Sequence, residues 1–228
     1  MKRFYKSVSV GDDHSVQLDG KPIKTPSSVK LVAPSRALAE AIAQEWREQG
    51  DSVVPSTMHL TRLANTAIDR AEPLREDIAG ELLRFACSDL LSYRALDPIS
   101  LRTRQEALWD PVLDWAHQTF GARLKTTHGV LFVEQDEEAI AAFERALREL
   151  DAWTLTGLQT ATSITGSLVL ALAIAKRRLS PAEAFALSRI DEAFQAEKWG
   201  LDAEAERRAR LHAAELEMAG KFIELARA

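Results

Sequence analysis

Two periodicities divide this chain. Over the first thirty residues apolar and polar positions alternate, with Val8 and Val10, then Val16 and Leu18, on one face of short strands. Asp19-Gly20 lies between Gln17-Leu18 and Lys21-Pro22-Ile23. That pair predicts a hairpin, because a type I′ turn needs positive φ at both central positions. Pro22 confines its strand to an edge or a strand start. A turn at Thr25-Pro26-Ser27-Ser28 and a further strand through Val29 and Leu31 complete the β region.

The spacing then changes to three and four. Pro34-Ser35 opens a helix with Ser35 as its cap, Leu38, Ile42 and Trp46 mark one face, and Gly50 is its stop. Val53 to Thr57 reads as a short extended return, and from Leu60 onward the pattern is almost wholly helical. Pro73 predicts a helix running to Ala86; Asp97-Pro98 and Asp110-Pro111 predict two more starts, and Gly121 a stop. Strand formers gather at Leu124–Val133, which reads as a short hairpin or an extended crossing. Helices resume near Asp136 and Asp151, and Ser180-Pro181-Ala182-Glu183 is a capping box with proline at the first helical position. Leu168–Ala175 reads as a helix buried on all sides. The last helix starts at about Leu201, with an apolar stripe of Leu211, Ala214, Met218, Phe222 and Leu225. Its opposite face carries the pairs Glu204–Arg208 and Glu206–Arg210. The expected fold class is α+β: a small β-rich N-terminal domain with one helix, residues 1–65, then a larger all-helical C-terminal domain, residues 66–228.

Composition removes several function classes. Hydrophobic residues make up 46% and charged residues 28%, and the net charge is −5. A mildly acidic chain repels phosphate backbones, so no nucleic-acid partner is expected. Cys87 is the single cysteine and allows no internal disulfide; its apolar neighbours predict a buried, inert thiol. The apolar run Leu168–Ala175 is far short of the roughly 20 residues that span a bilayer, and no signal-peptide core follows Lys2-Arg3-Phe4-Tyr5-Lys6. Neither secretion nor membrane insertion is expected.

Catalytic signatures are missing from the sequence. Gly157 to Ser167 lacks the Gly-Lys-Ser/Thr ending of a phosphate loop and the glycine pattern of a dinucleotide fold; its small residues suit close helix packing. His14, His59, His117, His128 and His212 form no local zinc-type pair, and Ser167 lies in no nucleophile elbow. No cofactor, metal or small-molecule substrate is expected. The richest stretch is Leu187-Ser-Arg-Ile-Asp-Glu-Ala-Phe-Gln-Ala-Glu-Lys-Trp-Gly200. It sets acids, an amide and two aromatic rings within about three helical turns. Two readings stand: an interface cluster with aromatic anchors, or a helix with a packed aromatic face and a solvated acidic one. Trp46, Trp109 and Trp115 are assigned to packing.

Several segments in order resemble a known family: Arg3-Phe-Tyr-Lys6, Leu18-Asp-Gly-Lys-Pro-Ile-Lys-Thr-Pro26, Glu45-Trp46, Met58-His-Leu-Thr61, Asn65-Thr66, Tyr93-Arg94 with Pro98, Trp109-Asp-Pro111 with Trp115, Leu187-Ser-Arg189, and Gln195 to Trp199-Gly200. Together the chain resembles the assembly chaperones of the F-type ATP synthase alpha subunit. The resemblance implies two domains and a non-enzymatic role: holding the unassembled alpha subunit until it pairs with beta. It also implies a bacterial cytoplasmic protein, or a mature form in the mitochondrial matrix. Phe194 departs from relatives that carry Tyr there. Under this reading the candidate partner-binding residues are Asp191, Glu192, Gln195, Trp199 and Glu204, with Asp191, Gln195 and Trp199 at four-residue spacing on one face. The competing readings are core packing for Trp199 and an ion pair with Arg208 for Glu204. Two other functions stay open: a small hydrolase or transferase assembled from distant residues, for example His59 with Asp69, and a generic helical adaptor.

Overall fold

In the computed structural model, which describes residues 1–200 and 202–228, strand β1 (Val8–Val10) pairs antiparallel with β2 (Val16–Leu18), and β2 with β3 (Lys21–Pro22). The β2–β3 turn has φ of 49° at Asp19 and 76° at Gly20, as the Asp-Gly pair predicts. Pro22 lies on the edge strand, where its missing N–H breaks no ladder bond. The predicted strand at Val29 and Leu31 is reduced to isolated bridges, Ser15 with Val32 and Lys24 with Lys30.

Helix α1 (Arg36–Arg47) begins at Ser35, whose hydroxyl accepts from the Leu38 N–H at 3.0 Å and donates to the Leu225 carbonyl at 2.5 Å. It ends at Glu48 in right-handed geometry, so Gly50 is not its cap. Residues Pro55–Thr57 form one 3₁₀ turn, followed by α2 (His59–Thr66) and a π-helical stretch, Ala67–Ala71. The buried Glu45 of α1 supplies the start of α2: its carboxylate accepts from Leu60 N at 2.7 Å, Thr61 N at 2.8 Å and the Thr61 hydroxyl at 2.7 Å. Those amides have no intrahelical acceptor, and a carboxylate answers both them and the helix dipole. One core joins Val16, Leu31, Leu38, Ile42, Leu60 and Phe222. Trp153 stacks on Phe222 with centroids 5.7 Å apart.

The compact unit around that core comprises Met1–Arg75, Asp151–Gly157 and Met218–Ala228. It therefore includes two later segments that a linear cut after residue 65 gives to the second domain. Apolar contact across many residues of sequence decides this, and local periodicity does not carry it. Gly157 marks a close approach inside the unit, since a Cβ there would lie 2.4 Å from Ile223 Cγ1 and 3.3 Å from the Ala219 carbonyl oxygen.

The other unit comprises Glu76–Leu150 and Leu158–Glu217. Helix α3 runs Arg75–Cys87, and Pro73 precedes it rather than opening it. After β4 (Tyr93–Arg94), α4 (Ile99–Phe120) runs straight through Pro111 and stops at Gly121 with φ of 76°. The predicted break at Asp110-Pro111 is thus overturned. Leu101, Gln105, Trp109, Val112, Leu113 and Ala116 keep one buried stripe on both sides of the proline. Burying that stripe outweighs the roughly 3 kcal/mol that an interior proline costs. Strand β5 (Thr127–His128) pairs parallel with β4, so Leu124–Val133 holds an extended crossing and no hairpin. The Gln135 side chain closes the base of that crossing, accepting from Lys125 N at 2.7 Å and donating to Lys125 O at 3.1 Å. Lys125 Nζ also pairs with Asp136 at 2.5 Å.

Helices α5 (Glu137–Arg148), α6 (Ala152–Thr165) and α7 (Leu168–Ala175) follow. All eight residues of α7 are buried, as predicted. Asp89 is fully buried beneath it, accepting from Val169 N at 3.2 Å and Leu91 N at 3.0 Å. Burial pushes this carboxyl up to about 6, against hydrogen bonds from Ser167 and the surrounding N–H groups that pull it down. Helices α8 (Pro181–Ser188), α9 (Ile190–Trp199) and α10 (Ala203–Ala226) complete the chain. The predicted start of α10 at Leu201 lies outside the described residues. The predicted α10 stripe is rotated: Leu211 is exposed, while Leu216, Ala219, Phe222 and Ile223 are buried. Among the described residues no helix is long and apolar enough to cross a membrane.

Candidate partner-binding site

Local chemistry fixes where α8 and α9 begin. Ser180 and Glu183 form the predicted capping box: Glu183 accepts from Ser180 N at 2.7 Å and donates its own N–H to Ser180 Oγ at 3.2 Å. The Ser180 N–H, with its hydroxyl, holds the Glu183 carboxyl below its usual range. Helix α9 buries Ile190 and Phe194. Lys198 Nζ lies 4.4 Å from the Phe194 ring centroid and the Arg104 guanidinium 5.9 Å from it. A phenylalanine at this position thus holds two cations by its π face without a hydroxyl. Arg104 also reaches Glu197 at 2.8 Å, tying α4 to α9.

Between α9 and α10 lies an open groove of about 480 Å³. Glu192, Gln195 and Trp199 line one side, Asp202 and Glu206 the other, with Ala193, Ala196, Ala205 and Ala209 between them. Trp199 is 78% exposed, which overturns the reading that packs it into the core. Glu192 pairs with Arg189 at 3.5 Å, and Gln195 is exposed. Asp191 behaves differently. Its carboxylate accepts from Gln105 Nε2 at 2.6 Å, so it faces α4. Four residues advance a helix by about 400°, a drift of about 40° per step, which is enough to turn Asp191 away from Trp199. Glu204 pairs with Arg208 at 3.9 Å, as its competing reading has it, and is not among the groove residues.

Sequence reasoning missed Asp202. Its Oδ1 accepts from Glu204 N at 2.9 Å and its carbonyl from Glu206 N at 2.9 Å, which makes it the capping residue of α10. An acid just before a helical stripe is the signal that could have found it; setting the start at Leu201 hid it. The alanines were legible only as small residues.

The catalytic alternative finds little support in the geometry. Both Asp69 oxygens are occupied, by Thr25 Oγ1 at 2.5 Å and Ser27 N at 3.0 Å. Burial works to raise this carboxyl, but the hydrogen bonds from Thr25 and Ser27 hold it below its ordinary value. His59 is half-buried at the first position of α2. Among the described residues no three His, Cys, Asp or Glu side chains converge to hold a metal ion. Cys87 is half-buried rather than buried, with Sγ 3.7 Å from the Leu83 carbonyl oxygen. Of the tryptophans assigned to packing, Trp109 is buried and donates to Leu187 O at 2.9 Å. Trp46 and Trp115 are half-buried, each edge-on to a neighbouring ring.

The groove is therefore open, edged by an exposed indole, floored by alanines and rimmed with charges of which Glu192 and Glu206 are paired. Residues 2–117 match the family model described as ATP12 chaperone protein, and the chain belongs to that family. A curated relative, the mitochondrial protein atp12 of Schizosaccharomyces pombe, is 27% identical over 214 residues, 87% of this chain and 74% of the relative. The crystal structure of Atp12 from Paracoccus denitrificans matches with a TM-score of 0.94 and 40% identity, over 99% of this chain and 98% of that one. A point mutant of the same Paracoccus protein matches with a TM-score of 0.95 and 39% identity, over 99% and 97% of the two chains. The family resemblance and the α+β class read from the sequence are borne out. The chain is a chaperone of the ATP12 family.

Proposed function

We propose that this chaperone binds the unassembled alpha subunit of the F-type ATP synthase, covers its beta-facing surface and yields it when beta pairs with it. Family membership carries this reading, and the α9–α10 groove with its exposed Trp199 supports it. An orphan subunit exposes apolar surface that aggregates, and a groove that is open and modest in size suits a grip that beta can displace. Glu192, Gln195 and Trp199 make the contact on this reading. Asp191 steadies α9 from beneath through Gln105, and Glu204 stands at the start of α10 beside Asp202. The protein works by association, without making or breaking covalent bonds. The occupied Asp69 carboxylate supports that view against a His59 hydrolase. Its setting is the bacterial cytoplasm, or the matrix for a mitochondrial form.

Co-expression with a cognate alpha subunit, followed by affinity capture, tests this. Alpha is retained and stays soluble with the natural chain. Trp199→Ala and Glu192→Lys lower retention while the thermal midpoint stays in place. Alpha that precipitates equally with and without the chaperone ends the proposal, and capture of a different partner from lysate replaces it with the adaptor reading.

A further inference from the structure

The unit that holds the N-terminus carries a second concavity, of about 440 Å³, that none of the foregoing uses. Its walls are Phe4, Tyr5 and Trp46 on one side and the β2–β3 hairpin on the other. The rings are set in a chain of edge contacts: Phe4 to Tyr5 at 5.4 Å and Tyr5 to Trp46 at 5.6 Å. The Tyr5 hydroxyl donates to the Trp46 carbonyl at 2.6 Å and the Arg3 guanidinium lies 4.6 Å from the Tyr5 ring centroid, so this wall is held in place from behind. Phe4 is nevertheless 63% exposed.

The charge at the mouth is net positive, two lysines against one carboxylate. Lys21 and Lys24 line it and, among the described residues, neither forms an ion pair. Among the described residues, Asp19 is the only acid in the wall. Its carboxylate is already engaged by the N–H groups of Lys6 and Ser7, at 3.0 and 2.8 Å, and by the Ser7 hydroxyl at 3.0 Å. Lys30, the other nearby cation on the hairpin return, is neutralised by Asp13 at 2.5 Å. A cationic mouth over an aromatic pocket therefore stands on a chain whose net charge is −5.

Lysine and proline on an edge strand have a plain use, which is to repel the addition of foreign strands. That use explains Lys21 and Pro22, and it also rules out a partner that extends the ladder. It does not explain Phe4, whose ring stands 63% exposed at the open pocket over the buried Tyr5 and half-buried Trp46. We propose that this pocket docks an acidic, extended segment of a protein partner, one apolar side chain entering between the rings and the hairpin while flanking carboxylates meet Lys21 and Lys24. The volume admits one or two side chains and no folded element. Aromatic walls supply anchor area, and lysines at the mouth supply sign selection and a faster encounter. This site does not depend on the identity of the client held at α9–α10.

Fluorescence anisotropy with a labelled heptapeptide, Asp-Glu-Asp-Phe-Glu-Asp-Gly, tests the proposal on the full chain. Binding is expected at low salt, weakening as salt rises. The double variant Lys21→Glu, Lys24→Glu lowers affinity about tenfold or more, and Phe4→Ala lowers it with the salt dependence retained. All three residues are exposed, so an unchanged thermal midpoint accompanies both variants. A control peptide with lysines in place of the acids does not bind. The proposal falls if the acidic peptide fails to bind, if the lysine peptide binds equally, or if the variants bind like the natural chain. It also falls if phenylacetate alone displaces the peptide at equal concentration, which would make the pocket a small-molecule site.

Discussion

Gln105 joins Asp191 to the backbone of a distant segment: its Nε2 donates to the Asp191 carboxylate at 2.6 Å while its Oε1 accepts from Ala95 N at 2.7 Å. Gln105 is buried, so removing either partner leaves a polar group without water or protein to replace it. Asp191→Ala is expected to cost about 1–3 kcal/mol, read as a lower urea midpoint with an unchanged slope. Captured client per folded molecule stays near the natural level, unlike Trp199→Ala, which leaves stability within about 0.5 kcal/mol.

Asp89 makes stability depend on pH in a direction opposite to most paired carboxylates. Its folded-state value is about 6 against an ordinary 3.8, so between these values the folded chain holds a proton that the unfolded chain has released. Its contribution is fully present below about pH 4 and is lost as pH rises through about 6, a change on the order of 3 kcal/mol at most. The stability difference between the natural chain and Asp89→Asn should fall across that window. A carboxyl-carbon NMR titration of Asp89 with a midpoint near 4 would contradict this.

Glu45 serves two amides and a hydroxyl of α2 at once. Glu45→Ala strands all three donors in a buried position, and a loss of about 2–4 kcal/mol is expected. For a chain of this length that lowers the thermal midpoint by several degrees, measured by calorimetry. Thr61→Val, which removes only the hydroxyl, should lower it by a smaller amount.

Gly157 leaves no room for a methyl group, because the nearest atom to a new Cβ is Ile223 Cγ1, part of a buried β-branched side chain. Gly157→Ala is expected to cost about 1–3 kcal/mol by overpacking, although alanine is the better helix former. Pairing it with Ile223→Ala, which removes both Cγ1 and Cδ1, should give a loss smaller than the sum of the two single losses. Additive losses in chemical denaturation would mean that the two residues do not meet.

What was legible in the sequence was local. The Asp19-Gly20 turn, the Ser35 cap, the Ser180–Glu183 box and the Gly121 stop each depend on a few adjacent residues, and each stands where it was read. What failed was decided at a distance. Pro111 looked like a helix start because a proline carries that meaning alone; the buried stripe across it overrides the signal. Asp191, Gln195 and Trp199 looked alike by spacing, but Gln105, far away in the chain, claims the first of them. Trp199 could not be told from a core indole until its exposure was known. The segments that carried the family resemblance prove to be contact partners. Glu45 meets Leu60 and Thr61, Tyr5 meets Trp46, and Arg94 meets Asp110 at 2.5 Å with its guanidinium 5.0 Å from the Trp109 ring centroid.

Gln135 and Asp136 hold Lys125 at the stem of this crossing, and Thr127–His128 with Gly129 N is tied to β4, so the anchoring on that side reaches as far as Gly129. The far side, Val130, Leu131 and Phe132, is 98, 75 and 69% exposed. Lengthening a tethered loop costs only about 0.6 kcal/mol per doubling. A reporter peptide or fluorophore acceptor inserted beside Leu131 should therefore leave the helices undisturbed, so that tip tolerates a change in the length of the polypeptide.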